Sequence, residues 1–464
     1  MLRKSEKLLK NWLVKPNRKP LVLRGARQVG KSTLVRQVMA GSNIDLCEVN
    51  CELHPQLDAA FATLNTERII DEIESLPRVK PIGPETVLFL DEVQATPHAL
   101  AALRYFHEER SDLKIICAGS LLDFALERQT FSMPVGRVEF QHVVPMDFEE
   151  FLWACGEDKL SEVLIKFTLE KPMSPDQHAR LLDLQQKYFF VGGMPEAVRE
   201  YARSRKLSSA SEVHESILET YKLDFLKYGL RQDLPRLARV LDHCAQQIAK
   251  PVKLTKILPD EQARTVRRLL GLLIHARRLS PVIHSDANDP PLGAEEHPDV
   301  FKLIMLDIGL MNALVGATWN QFKNSDTAMK VRDGAVAEQF IGQELISSVG
   351  RGRQKLNFWL RNGKSANAEV DYVAVLDDQI IPIEVKAGKS GTLRSLKTFC
   401  EHKRPAVAFR FDTQLPSLQH LAIDSSATAE KPMPETCVLV SLPLYALSQM
   451  ARIHEAVHSD VARS

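Results

Sequence analysis

A chain of 464 residues is too long for one hydrophobic core, so three or four domains are expected. With 44% hydrophobic and 26% charged residues it has the make-up of an ordinary globular protein, and a net charge of +1 confines any nucleic-acid surface to a local patch. No apolar run approaches the roughly 18 residues of a membrane span, and the basic N-terminus carries Glu6 and lacks a continuous apolar stretch, which argues against a signal peptide and for a cytoplasmic chain with no membrane partner.

Over the first 145 residues, short apolar runs at 20–24, 45–49, 87–90, 113–117 and 138–144 alternate with helical stretches. That alternation predicts a parallel sheet covered on both faces. From Phe148 to about Tyr228 the pattern turns helical, broken by Pro172, Pro175 and the loop Gly192-Gly193-Met194-Pro195. Residues 285–298 are polar and Pro-rich, as expected of an exposed loop. A helix at 334–349 is followed by strands at 356–360, 370–375 and 380–385, a polar loop at 425–434 and a last strand at 437–441. Seven scattered cysteines without a CxxC pair read as reduced thiols and not as a metal site.

Gly25-Ala26-Arg27-Gln28-Val29-Gly30-Lys31-Ser32-Thr33 fits the GxxxxGK[ST] phosphate loop at every fixed position and follows the run Leu21-Val22-Leu23. Such a loop curls its N–H groups around a phosphate at a helix N-terminus. Lys31 is expected on the β- and γ-phosphates of ATP and the Ser32 hydroxyl on Mg²⁺. The run Val87–Leu90 ends in Asp91-Glu92. Asp91 would help to hold Mg²⁺ and Glu92 would polarise the attacking water, which favours a hydrolase over a kinase. Ser120 ends the next strand, where it would sense the γ-phosphate or simply cap a helix at 121–126. Arg137 precedes the fifth strand, where it would act as a finger towards a neighbouring subunit of a ring or be an ordinary surface arginine.

The wording GARQVGKSTL, LFLDEVQ, AGS and GR before VVPMDFEEFL resembles a bacterial and archaeal family of AAA-type P-loop ATPases joined to a C-terminal domain of unknown function. The resemblance extends through Gly192-Gly193-Met194-Pro195-Glu196, the 302–310 segment KLIMLDIGL and Ile383-Glu384-Val385-Lys386-Ala387-Gly388. It implies ATP binding without prescribing a biological role.

Between Lys253 and Arg278 there are seven basic residues against two acidic ones, while Val266, Leu269, Leu270, Leu273 and Ile274 mark one apolar helix face. Arg264, Thr265, Arg267 and Arg268 are left on the outward side, as on the recognition helix of a winged-helix module that contacts DNA. Packing alone is the competing explanation. The last third places Glu338 on a helix, Asp371 in a strand and Glu384-Val385-Lys386 at the end of the next, with a 13-residue step from Asp371 to Glu384. This looks like the PD-(D/E)xK nuclease pattern. Period-2 alternation puts Glu384 and Lys386 on one face. Glu338, Asp371 and Glu384 would bind Mg²⁺ and Lys386 would steady the attacking water.

The expected architecture is therefore α/β and multidomain: a P-loop NTPase core at 1–146, a helical lid at 147–230, a winged-helix domain at 231–325 and a restriction-endonuclease-like domain at 326–464. Two functions compete. One is an ATPase coupled to a Mg²⁺-dependent nuclease acting on nucleic acid, DNA foremost. The other is a regulatory ATPase switch whose C-terminal domain binds nucleic acid or protein without cutting.

Overall fold

The computed structural model describes residues 1–120, 122, 124, 136–320, 328–348, 355–361, 368–387, 393–423 and 436–461. Most of the helix expected at 121–126, the polar loop at 425–434 and Gly388 lie outside the described residues. Contacts divide the chain into two units, Met1–Pro145 with His275–Arg278, and Met146–Ile274 with Leu279–Ser464.

The first unit is built on five parallel strands: β1 (Leu21–Arg24), β2 (Asp45–Asn50), β3 (Thr86–Asp91), β4 (Lys114–Gly119) and β5 (Glu139–His142), in the order β2-β3-β4-β1-β5. The apolar runs form interior strands because both faces are covered. Val22, Leu23, Leu88, Leu90, Ile115 and Cys117 are all buried, and helices such as α1 (Lys31–Ser42) and α2 (His98–Glu109) supply the cover. The C-terminal ends of β1 and β3 and the start of α1 carry the phosphate-loop residues, where ligands bind in open parallel sheets.

The second unit begins with helices, among them α3 (Phe148–Ala154) and α4 (Pro175–Val191), and continues through α5 (Ala263–His275), whose last residue falls in the first unit. It then forms β6 (Leu279–Ser285), β7 (Glu296–Met305), α6 (Ile308–Leu314), α7 (Ala328–Ser347), β8 (Leu356–Arg361), β9 (Ala368–Leu376), β10 (Gln379–Val385), β11 (Val407–Asp412), β12 (Ser417–Ala422) and β13 (Thr436–Pro443). These eight strands make one mixed sheet in the order β12-β13-β11-β10-β9-β8-β6-β7. β6 pairs in parallel with β8, with Val282 beside Leu356, so strands on both sides of residue 325 share a hydrogen-bonded sheet.

Two motifs quoted from the sequence meet inside this unit. Gly192 has φ 70° and a Cβ there would stand 2.2 Å from Asp307 Oδ1, so only glycine fits. The Gly193 N–H donates to Asp307 Oδ2 at 2.6 Å, and the Leu310 N–H donates to Oδ1 of the same carboxylate. Gln343 on α7 donates to the buried Tyr188 hydroxyl at 2.9 Å, and Tyr188 donates to the Met146 carbonyl. Buried polar groups at this density stay folded only when bonded, which gives the Gly-Gly turn and the Asp-Ile-Gly segment a structural reason to occur together. All seven cysteines are buried and free. Among the described residues no helix is long and apolar enough to cross a membrane.

Candidate functional site

The phosphate loop is tightly held. A Cβ on Gly25 would lie 2.2 Å from the Val143 carbonyl oxygen, so the backbone passes where no side chain fits. Arg3 donates to the Val29 carbonyl at 3.2 Å and to the Val144 carbonyl at 2.6 Å, tying the loop to the segment after β5. Lys31 is only 7% exposed and turns inward, donating from Nζ to the carbonyls of Gly25 at 3.0 Å and Ala26 at 2.9 Å. Burial, with the charges of Arg277 and Arg278 adding to it, pushes the Lys31 ammonium down to about 8 against the pull of Glu92 and Asp91. This is a cation held by backbone dipoles, with no carboxylate bonded to it among the described residues. Arg27 and Gln28 are half-buried, Val29 is buried, and Thr33 is exposed in the first turn of α1.

Ser32 Oγ donates to Asp91 Oδ2 at 2.6 Å. Burial raises the Asp91 carboxyl while that hydrogen bond lowers it. A hydroxyl and a carboxylate at this separation are the hard oxygen donors that Mg²⁺ takes, and Ser32 and Asp91 fit as its protein ligands. Glu92 follows in a left-handed conformation, φ 50°, which turns its side chain out of the strand direction. Gln94 donates to Glu92 Oε2 at 2.5 Å, and the Ser120 hydroxyl lies 3.4 Å from the same oxygen. Ser120 therefore stands beside the candidate base. Arg137 is exposed and pairs with Glu108 at 2.9 Å.

The C-terminal constellation converges too. β9 and β10 pair with Ile383 opposite Tyr372, which brings Glu384 level with Asp371. Asp371 accepts from the Val385 N–H at 2.7 Å, and Lys386 Nζ is bonded to Glu384. The sequence reading omitted the residue at its centre. Lys302 on β7, 1% exposed, donates to Glu369 at 2.9 Å and to Glu338 at 3.3 Å, and its ammonium lies 4.9 Å from the Phe358 ring centre. The carboxylates hold the Lys302 ammonium well above its usual range although burial opposes them. Burial pushes Glu338 up to about 8, with Lys302 pulling the other way, and Glu384 up to about 7, with Asp371 adding to the rise. Among the described residues, the one set of three metal-ligating side chains with all donor atoms within 4.8 Å of one another is elsewhere, at His284, Asp286 and His297.

A family model described as an AAA domain matches residues 17–152. This stretch is an AAA-type P-loop ATPase domain. Two further models, both of domains of unknown function (DUF8612 and DUF4143), match residues 182–321 and 333–423. No curated protein matches the chain. Among solved structures it is similar to the Walker-type ATPase of Pyrococcus abyssi, at 17% identity over 68% of this chain and 95% of that one, with a TM-score of 0.41. It is also similar to the ORC2 protein of Aeropyrum pernix, at 11% identity over 69% and 92%, TM-score 0.34. The RuvB Holliday junction branch migration motor of Thermotoga maritima is a third, at 16% identity over 60% and 87%, TM-score 0.28.

The AAA domain recruits a segment that the sequence reading assigned elsewhere. Arg277 and Arg278, counted there with the basic helix, are buried and group with the AAA domain at the start of the chain. Arg277 Nη1 lies 3.0 Å from His142 Nδ1 at the end of β5, and both guanidiniums act on Lys31 through space. A double arginine ending an amphipathic helix is the signal, but nothing in the sequence says which unit it serves. Two other arginines of the expected recognition face are committed to acids. Arg268 forks onto the buried Asp233 at 2.7 and 2.9 Å, and Arg267 pairs with Asp299 at 2.8 Å. Of the apolar stripe, Val266, Leu269, Leu270 and Leu273 are buried and Ile274 is half-buried.

Proposed function

We propose that this chain is an ATP-hydrolysing switch: the AAA domain binds ATP with Mg²⁺ and hydrolyses it, and the region after residue 326 grips a partner without cutting it. The observation that carries the first half is the Ser32 hydroxyl on Asp91 at 2.6 Å beside Lys31 and Glu92. Ser32 and Asp91 would hold Mg²⁺, which would supply positive charge against the phosphates. Lys31 would leave the carbonyls of Gly25 and Ala26 for the phosphates. Glu92 would take the proton of the attacking water once Gln94 releases it, and Ser120 would orient the same carboxylate. Arg277 and Arg278 add positive charge near Lys31, suited to polyphosphate. Arg137, on the surface with Glu108, would serve the nucleotide of a neighbouring copy if the chain forms a ring.

The second half rests on Lys302. A PD-(D/E)xK centre uses its acids to hold Mg²⁺, whereas here Glu338 and Glu369 already share a buried ammonium and Glu384 has Lys386. Three of the four acids thereby already have a cation at hydrogen-bond distance, and the restriction-endonuclease-like motif is read as a scaffold. The winged-helix-like stretch and its remaining basic residues, Lys253, Lys256 and Arg264, would supply contacts to DNA phosphates if nucleic acid is the partner.

The test uses purified protein with ATP, Mg²⁺ or Mn²⁺ and end-labelled DNA or RNA. ATP turnover without cleavage is expected. Cleavage that disappears in Lys386→Ala would overturn the scaffold reading and establish the nuclease. Absence of turnover in the wild type with every candidate partner present would remove the switch.

A further inference from the structure

The β6–β7 hairpin ends in a cluster that neither the ATPase nor the acid–lysine core uses. Antiparallel pairing puts His284 directly opposite His297, and Asp286, two residues beyond His284, falls on the same face. His297 Nε2 is 3.0 Å from Asp286 Oδ2, and His284 Nε2 is 3.8 Å from Asp286 Oδ1. The two imidazoles stack, with centroids 4.9 Å apart and planes 20° from parallel. All three donor atoms lie within 4.8 Å of one another.

We propose that His284, Asp286 and His297 form a binding site for a borderline divalent transition metal, with Zn²⁺ the expected ion. Donors held at ~2.0–2.1 Å from a tetrahedral ion stand about 3.3 Å apart, and one ligand atom from each of the three residues already lies within 4.8 Å of the other two. Two imidazoles and one carboxylate select Zn²⁺, Co²⁺ or Ni²⁺ over Mg²⁺. Such a set also leaves the fourth coordination position open to water or a partner's side chain.

The hairpin is shaped to present these ligands. Its ladder jumps from the pair Ile283–Phe301 to the pair His284–His297, so residues 298–300 are displaced, and that irregularity is what aligns the two histidines. Asp299 within it is pinned by Arg267. On the far side, Asp286 N–H donates to the Glu295 carbonyl at 3.2 Å, and the Glu295 carboxylate is taken by Asn288, leaving Asp286 to the histidines. Glu296 is bonded to Asn357 at 2.9 Å and paired with Lys355, which fastens the hairpin end to β8.

The full-length protein, stripped with chelator and kept in excess Mg²⁺ to fill hard oxygen sites, is titrated with Co²⁺. A visible d–d absorption that saturates at one equivalent and is displaced by Zn²⁺ is expected. His297→Ala and Asp286→Asn change partly exposed residues outside the ATP site. Each should weaken Co²⁺ binding by at least about tenfold, the lower end of what even an outer-shell change costs, with ATP turnover unchanged. No saturable absorption in the folded wild type, or one that persists in both variants, overturns the proposal.

Discussion

Two buried lysines divide this molecule. Lys31 and Lys302 are both almost inaccessible, yet their surroundings push them in opposite directions. Among the described residues Lys31 hydrogen-bonds to backbone carbonyls alone, and burial, with Arg277 and Arg278 adding to it, holds it at about 8 against the pull of Glu92 and Asp91. Lys302 is clasped by Glu338 and Glu369 and is held far above its ordinary range. Burial is common to both and cannot decide what either does. Direct contact with an anion decides: burial outweighs the more distant Glu92 and Asp91 at Lys31, whereas carboxylates bonded to Lys302 outweigh burial, so the first cation is read as a receptor for an anion and the second as part of the core.

The largest effect should come from Glu92→Gln, which keeps the shape of the Lys31 site but removes its base. ATP turnover should fall by about 10²–10⁴ with nucleotide affinity retained, measured by phosphate release against equilibrium binding. Equal turnover would take Glu92 out of its role and weaken the reading of Lys31's surroundings as catalytic. Lys302→Met attacks the other half of the comparison. It strands two half-buried carboxylates and should cost up to about 3 kcal/mol in urea unfolding, the low end for breaking a buried pair, with part of the loss recovered when Glu338→Gln is added. If Lys302→Met leaves stability unchanged, Lys302 is not a core ion.

Lys31→Ala should do the reverse, weakening ATP binding by roughly a hundredfold while shifting the unfolding midpoint little, since only backbone carbonyls lose a donor. The finest test is pH. A folded-state value near 8 leaves Lys31 charged below pH 8, where ATP affinity should be flat. Above pH 8 the free protein must take up a proton to bind phosphate, so affinity should fall by up to about tenfold per unit, as calorimetry in two buffers would register. An affinity that rises through that window would place a carboxylate, not Lys31, in control.

The two regions were also unequally legible. The phosphate loop could be read because phosphate geometry fixes consecutive residues, and β1, β3 and α1 lie where the apolar runs put them. Glu338, Asp371, Glu384 and Lys386 were picked out by the order of helix and strands; strand pairing sets Asp371 level with Glu384 and Lys386 bonds to Glu384, while Glu338 bonds to Lys302. Lys302 escaped because its meaning depends on partners 36 and 67 residues away; the available hint was a lysine heading the buried run Leu303-Ile304-Met305. The same limit applies to α5. Periodicity revealed its apolar face, but the acids that occupy Arg267 and Arg268 lie 32 and 35 residues away in the chain. Arg277 and Arg278 show it most sharply, since they leave their own helix's unit for the AAA domain.

The parallel pairing of β6 with β8 has a consequence for how this polypeptide can be divided. The two matched domains of unknown function abut between residues 321 and 333, yet their strands are neighbours in one ladder. A gene split or protease nick there would not release two modules. It would bare the hydrogen-bonding edges of β6 and β8 on separate fragments, and fragments with such edges re-associate or aggregate. The pair should therefore be inherited, expressed and degraded as one body.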